Sequence, residues 1–547
     1  MSTDSGATPE VTGNNLRARL LAHGLTFLLM GVALWAGVCG ARWGIANFTN
    51  DDGTYWGSAL ALEAGRGYTI DFSPTQAAVD RFPPGWPLLL AMVFRLFGRG
   101  DDGIIAAQVL NLFMWAGALT LAYHAVVRRT GRPYWLVWGA LVLLAVNPLA
   151  IETVALLMSE PLTVLLVTLA LMVWHRKPTG LDLGVLGLLL GYAVLTRYAV
   201  LPLLLVAVAD AAWRLRGRAW PILVGLALPM LPYASWWWAF RGLGYVSQAA
   251  YWSSAGWLVQ IGSLLISLSR TFLQALPSLV LPGLFLARYP LDTDLPWSQP
   301  LLVLLALAWD VVFLVVLWRS RARTGWAGGP LIGILAYLAL VTAWQSAFLN
   351  LKEHLPFRLL MPVLPVLLVW AGEGMALAIR DVKGKLQRAG IASALVVAAV
   401  SLHDAFVATW SIRTHNETVM HRTYAVFDQV RLDRTLFPKD ATVATDFGGL
   451  YHQATGGKVF ALTGGIDPEI DRMVFLAGVD LYFIMMSPKE KVGDQSVWWA
   501  MPHLNARYPG LVVPKRRKDG TVTSWYTVDP AVRAAWRRRL LQRVSRG

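Results

Sequence analysis

The sequence predicts a polytopic all-α membrane protein with a small α/β domain at its C-terminal end. Three observations lead there. Of the 547 residues, 56% are hydrophobic and 15% charged, whereas soluble domains carry roughly a quarter charged residues. Apolar runs of about 20 residues, the length that crosses a bilayer core, recur along most of the chain. From about residue 413 they give way to strand-like stretches split by Gly, Pro and charges.

The net charge of +15 and a pI near 10.0 would suit nucleic acid, but the placement of the charge argues otherwise. Basic residues gather in short loops between apolar runs: Arg128, Arg129 and Arg132; Arg176 and Lys177; Arg214, Arg216 and Arg218; Arg319, Arg321 and Arg323; Arg380, Lys383, Lys385 and Arg388. Such loops stay cytoplasmic, so the excess is a topology device. Cys39 stands alone, which excludes an internal disulfide.

With the basic loops as cytoplasmic markers, the elements follow in order. Met1 to about Asn15 is polar and reads as a disordered tail, with residues 1–19 on the cytoplasmic side. A first helix over about Leu20–Ala46 leaves the cytoplasm, preceded by Arg17 and Arg19. Asn47 to about Asp102 is then extracytoplasmic. Its apolar part, Pro84–Phe97, is too short to cross and is expected to lie along the outer surface. Helices over about Gly103–Val127 and Pro133–Asn147 lead to an outer turn holding Asn147-Pro148 and Ser159-Glu160-Pro161. A return to Arg176 and a hairpin around Arg197 follow, then a helix over Trp220–Phe240 ending at Trp236-Trp237-Trp238, an aromatic belt. Tyr245–Pro296 is read as a re-entrant or surface element, which keeps every later basic loop inside. Helices over Pro300–Trp318, Pro330–Leu349, Arg358–Ile379 and Gly390–Ser411 complete about eleven spans in a 20–412 transmembrane domain. Strands are expected at Ala441–Thr445, Val459–Leu462, Leu481–Met486, Gly510–Val513 and Val522–Val528, within an extracytoplasmic 413–547 domain. Its basic end, Arg533 to Arg546, is either a solvated tail or a helix on anionic headgroups.

Asp51-Asp52, just past the first apolar run, is the most informative pair. Carboxylates beside a membrane helix are costly unless they face water, a cation or a substrate. Either they cap a helix starting near Gly53, or at least one serves as a general base or metal ligand. Only one of the pair can cap.

The order Asp51-Asp52-x-x-Tyr55, then Gly67-Tyr68, then the Pro-Pro-Gly at Pro83-Pro84-Gly85, resembles the GT-C glycosyltransferases. The likeness is to their bacterial branch, related to aminoarabinose transferases of lipid A and to protein mannosyltransferases. It continues through MSEPLTVLLVTLAL, GYAVLTRYAVLPLLL and FRLLMPVLPVLLVWAGEG, and so covers most of residues 20–412. The resemblance implies inverting sugar transfer from a polyprenyl-phosphate donor to a lipid, glycan or protein acceptor at the outer membrane face. It implies Asp51 as the base, Asp52 as the adjacent acid, Glu160 as a second acid, and Tyr55 and Tyr68 in the substrate pocket. Thr54 and Phe82 stand where the lipid-A branch carries basic residues; Arg81 lies one step before Phe82. Glu160, ahead of Pro161, also suits the first turn of a helix, and as a functional acid would orient Arg81, hold a metal or meet the acceptor.

A departing lipid phosphate needs fixed cations. Arg81, Lys352, His354 and Arg358 fall on the outer face, and Arg197 sits between hairpin arms. Guanidinium forks grip phosphate bidentately; the bland role for Lys352 and Arg358 is snorkelling to the interface. No cofactor is required by the pattern, although Asp51 and Asp52 have the chemistry to hold Mg²⁺ or Mn²⁺. His403 and His415 lack metal-ligand spacing. A transporter or lipid flippase, and a lipid-binding relative without chemistry, remain as rival readings.

Overall fold

The computed structural model describes residues 13–39, 50–73, 79, 82–130, 135–176, 179–215, 219–240, 257–272, 276–279, 300–324, 328–347, 355–382, 384–432, 442–445, 452, 457, 459–461, 481–484, 510, 512–516 and 522–544. The helices are α1 (Gly13–Cys39), α2 (Asn50–Glu63), α3 (Gly85–Phe97), α4 (Asp101–Thr130), α5 (Trp135–Ala145), α6 (Pro148–Ala155), α7 (Glu160–His175), α8 (Leu181–Thr196), α9 (Leu201–Leu215) and α10 (Trp220–Phe240). They continue as α11 (Trp257–Arg270), α12 (Pro300–Ser320), α13 (Gly329–Ala347), α14 (Leu355–Leu360), α15 (Leu364–Asp381) and α16 (Lys385–Leu432), with α17 (Pro530–Val544) closing the chain. The fold is that of a polytopic helical membrane protein. Many large apolar side chains are exposed on helix faces, among them Leu25, Leu29, Val311, Leu314, Val396 and Phe406, as suits helices bathed in lipid rather than water.

Five described helices are long and apolar enough to cross a bilayer, or six if the α5–α6 pair, bent by 56°, forms one span. The expected eleven crossings also count shorter apolar helices such as α7 and α8, of 16 residues each. At 1.5 Å per residue these cover about 24 Å, somewhat less than a ~30 Å core.

Three boundaries differ from the sequence reading. The Arg358–Ile379 run is two helices, broken over Met361–Val363, where Pro362 and Pro365 interrupt the backbone ladder. The last apolar run does not stop near Ser411: α16 extends to Leu432, with neither Gly nor Pro between Gly390 and Pro438 to end it. The first helix is α1, starting at Gly13 rather than Leu20.

The chain divides into two compact units, residues 1–40, 80–86 and 108–415, and residues 41–79, 87–107 and 416–547. In the first, α8 and α10 pack almost backbone to backbone. A Cβ at Gly187 would stand 2.1 Å from the Ile222 carbonyl oxygen, and one at Gly225 would stand 1.9 Å from that of Gly184. Small residues at such spacing let helices approach where no hydrophobic effect drives them together. Near the C-terminal end of α7, Trp174 donates to Asp210 (2.7 Å), which also accepts from Arg214.

In the second unit, five strands form a mixed sheet of order β2-β1-β3-β5-β4: β1 (Thr442–Thr445), β2 (Val459–Ala461), β3 (Leu481–Ile484), β4 (Val512–Arg516) and β5 (Val522–Val528). β1 runs parallel to β2 and β3; β5 is antiparallel to β3 and β4. Four lie where the strand-like runs predict them, while β4 shares only Val512 and Val513 with the expected Gly510–Val513. The basic end is helix α17, capped by Asp529, whose Oδ1 accepts from Ala531 and Val532.

Candidate active site

The helix expected to start near Gly53 starts about one turn earlier, so the acidic pair does not cap it. α2 begins at Asn50, so Asp51 and Asp52 stand inside its first turn, where carboxylates favour the positive end of the helix dipole. Asp52 is fully buried and its Oδ1 accepts from the Gly53 N–H (3.0 Å). Asp51 is partly exposed. The two acids thus differ in surroundings, with one turned into the fold and the other toward its surface. Tyr55 and Tyr68 are both buried, at 3% and 5% exposure.

The backbone after α2 explains the Gly-Tyr motif. Gly65 and Gly67 adopt positive φ of 72° and 80°. Arg66 N–H bonds back to Ala61 and Gly65 N–H to Leu62, the paired bonds of a Schellman stop. The chain then doubles back: Asp71 N–H donates to the Gly57 carbonyl (3.1 Å), and a Cβ at Gly57 would strike Phe72 at 2.5 Å. Phe72 is in turn fixed by the C-terminal part of the same unit. Its carbonyl accepts from Val459 N–H (3.0 Å), and its ring meets those of Trp56 and His452.

In the first unit, Glu160, Arg197 and Arg358 come together from three segments. Glu160 opens α7 and is completely buried; its Oε1 accepts from Arg358 Nε (2.8 Å) and Nη2 (2.7 Å), and pairs with Arg197 Nη1 (2.5 Å). Ser159 makes no side-chain cap, and the Glu160 carboxylate in the first turn serves two guanidiniums. Arg197 reaches it because its backbone is extended (φ −152°), breaking the helical run between α8 and the 3-10 turn at Tyr198–Val200. Arg358 lies in the short helix α14, whose Leu359 carbonyl accepts the Tyr337 hydroxyl.

Three buried polar side chains hold the end of α6 and the short turn from Leu156 to Ser159 that leads into Glu160. Trp86 Nε1 donates to Leu157 (2.8 Å), Gln108 to Ala155 (2.9 Å) and Asn111 to Leu156 (2.8 Å). Gly85 presses against the end of α8, where a Cβ would lie 2.6 Å from the Leu195 oxygen, and its carbonyl accepts the Tyr192 hydroxyl (2.9 Å). None of these supports was anticipated from sequence. Gln108 and Asn111, three apart on one face of an apolar helix, were the available signal.

Arg81, Lys352 and His354 lie outside the described residues. No protein-family model matches the chain, and no curated protein matches it. Solved structures that match include ArnT from Cupriavidus metallidurans bound to undecaprenyl phosphate, at 12% identity, and ArnT from the same organism in the apo state, at 13%. Each match covers 93% of this chain and 98% of the other, with a TM-score of 0.51. The chain has the GT-C fold. The motifs Asp-Asp, Gly-Tyr, Pro-Pro-Gly and Ser-Glu-Pro follow in that order along the chain, and no group of three His, Cys, Asp or Glu able to hold a metal occurs among the described residues.

Proposed function

We propose that the chain is an inverting glycosyltransferase, moving a sugar from a polyprenyl-phosphate donor to a lipid, glycan or protein acceptor at the outer face of the cytoplasmic membrane. The observation that carries this reading is the GT-C fold, shared over nearly the whole chain with a protein solved bound to undecaprenyl phosphate. In this scheme Asp51, the partly exposed acid of the pair, takes the proton of an acceptor hydroxyl or amine. The acceptor atom attacks the anomeric carbon opposite the phosphate, the bond to the phosphate oxygen breaks, and polyprenyl phosphate leaves with the electron pair. A single displacement inverts the anomeric centre. Asp52 steadies the turn that carries Asp51, and Tyr55 and Tyr68 shape the sugar side of the pocket.

Arg358 and Arg197, oriented by Glu160, meet the charge that grows on the departing phosphate, with Arg81 and Lys352 as further cations. Guanidiniums thus take the part that Mg²⁺ or Mn²⁺ plays in other phosphate chemistry, and Asp51 with Asp52 is the pair that would hold such an ion. The test is reconstitution with polyprenyl-phosphate sugars and detection of the glycosylated product by mass spectrometry. Asp51→Asn abolishes transfer while expression and folding persist; near-normal turnover in that variant would falsify the assignment.

One observation favours a transporter or lipid flippase instead. Asp310, midway along α12, is 3% exposed, and neither carboxylate oxygen has a hydrogen-bond partner among the described residues; acids within spans mark transport paths. Transport in proteoliposomes without any glycosidic product would establish that reading in place of the first.

A further inference from the structure

A cavity of about 330 Å³ opens near the end of α7 remote from Glu160. Three helices line it. Val126 of α4, Met172 of α7 and Val369 of α15 give it apolar walls, and Arg128, His175 and Arg176 a polar rim. Met172, His175 and Arg176 follow the i, i+3, i+4 spacing that puts them on one face of the helix. Arg128 and Arg176 are exposed, and no carboxylate among the described residues forms an ion pair with either. The same two loops carry Arg129, Arg132 and Lys177 in sequence.

An apolar slot with a cationic rim, set at helix ends where basic loops meet the headgroup layer, matches a phospholipid bearing net negative charge. We propose that this cavity binds an anionic phospholipid of the leaflet facing the basic loops, its phosphate on Arg128 and Arg176 and its upper acyl chain along Val126, Met172 and Val369. The volume is at the small end of ligand pockets, about 300–1,000 Å³, and so suits a headgroup with the first part of a chain. The C-terminal ends of α4 and α7 contribute partial negative charge here, so an anion depends on the two arginines. The site is separate from the Glu160 cluster and does not rest on the glycosyltransferase reading.

Native mass spectrometry of the full chain in detergent tests this, with phosphatidylglycerol, phosphatidylethanolamine of the same acyl chains, and polyprenyl phosphate as probes. The expected result is preferential retention of phosphatidylglycerol, weakened roughly tenfold or more in the Arg128→Gln/Arg176→Gln variant. Both arginines are exposed, so that variant folds; Met172→Trp, which fills the slot, lowers retention with the arginines intact. Equal retention of the two phospholipids by the wild-type chain overturns the proposal. So does unchanged phosphatidylglycerol binding in the double variant, or retention of polyprenyl phosphate in place of phosphatidylglycerol.

Discussion

Replacing Glu160 by Gln removes one charge and almost no volume, so it isolates the electrostatic part of the Arg197–Glu160–Arg358 cluster. Glu160 is 0% exposed, while the side chains of Arg197 and Arg358 are 15% and 22% exposed. Taking one partner from a buried ion pair costs about 3–5 kcal/mol, because the remaining charge is stranded. Gln still accepts a hydrogen bond, recovering about 1 kcal/mol, and partial exposure lets water screen the arginines. The net loss is therefore about 2–3 kcal/mol, which in a chain of 547 residues lowers the midpoint of thermal denaturation in detergent by roughly 2–3 °C. Heating followed by size-exclusion chromatography of the monodisperse fraction measures it. Arg358→Gln alone is also destabilising, but combined with Glu160→Gln it costs less than the sum of the two, since the pair is removed together. A midpoint within about 1 °C of wild type, or strict additivity in the double variant, would show that the three side chains are not energetically coupled.

Three further outcomes follow from the same structure. Gly225→Leu drives a side chain into the Gly184 carbonyl and lowers stability by about 1–3 kcal/mol, whereas Gly139→Ala, with nothing within 4 Å of its new Cβ, leaves the thermal midpoint unchanged. Asp310→Leu removes a buried carboxyl with no hydrogen-bond partner among the described residues and raises stability by about 1–3 kcal/mol; sugar transfer persists in it, whereas proteoliposome transport by the wild-type chain that this variant abolishes would support the transport reading. Transfer survives EDTA if guanidiniums alone meet the phosphate charge; activity lost to EDTA and restored by Mg²⁺ or Mn²⁺ would instead put a cation at Asp51 and Asp52.

Much of the secondary structure was legible because it depends on local patterns. Apolar runs fix the helices, and strand-like runs between Gly, Pro and charges locate the five strands to within a few residues. What was not legible depends on partners distant in sequence. Glu160, Arg197 and Arg358 were each visible as charges near apolar runs, yet their meeting on one oxygen spans 198 residues and turns on two local breaks. One is the extended backbone at Arg197; the other is the interruption after α14 at Met361–Val363. The link from Phe72 to Val459 and His452 was hidden for the same reason. Nothing in either sequence segment names the other.

The Pro-Pro-Gly motif gains a physical role from this geometry. Gly85 has no Cβ, which lets the end of α8 come within contact of its backbone, and that end is where Arg197 leaves the helix. Trp86, the next residue, holds the Leu157 carbonyl three residues before Glu160. One turn of chain therefore braces both an arginine and the acid it pairs with. A side chain at position 85 would push against Leu195 and move Arg197 relative to Glu160, so the motif acts on the ion cluster through its backbone and not through chemistry of its own. Glycine is therefore required there even though its neighbours in the motif are rigid prolines: the prolines fix the direction of the chain, and the glycine admits the helix.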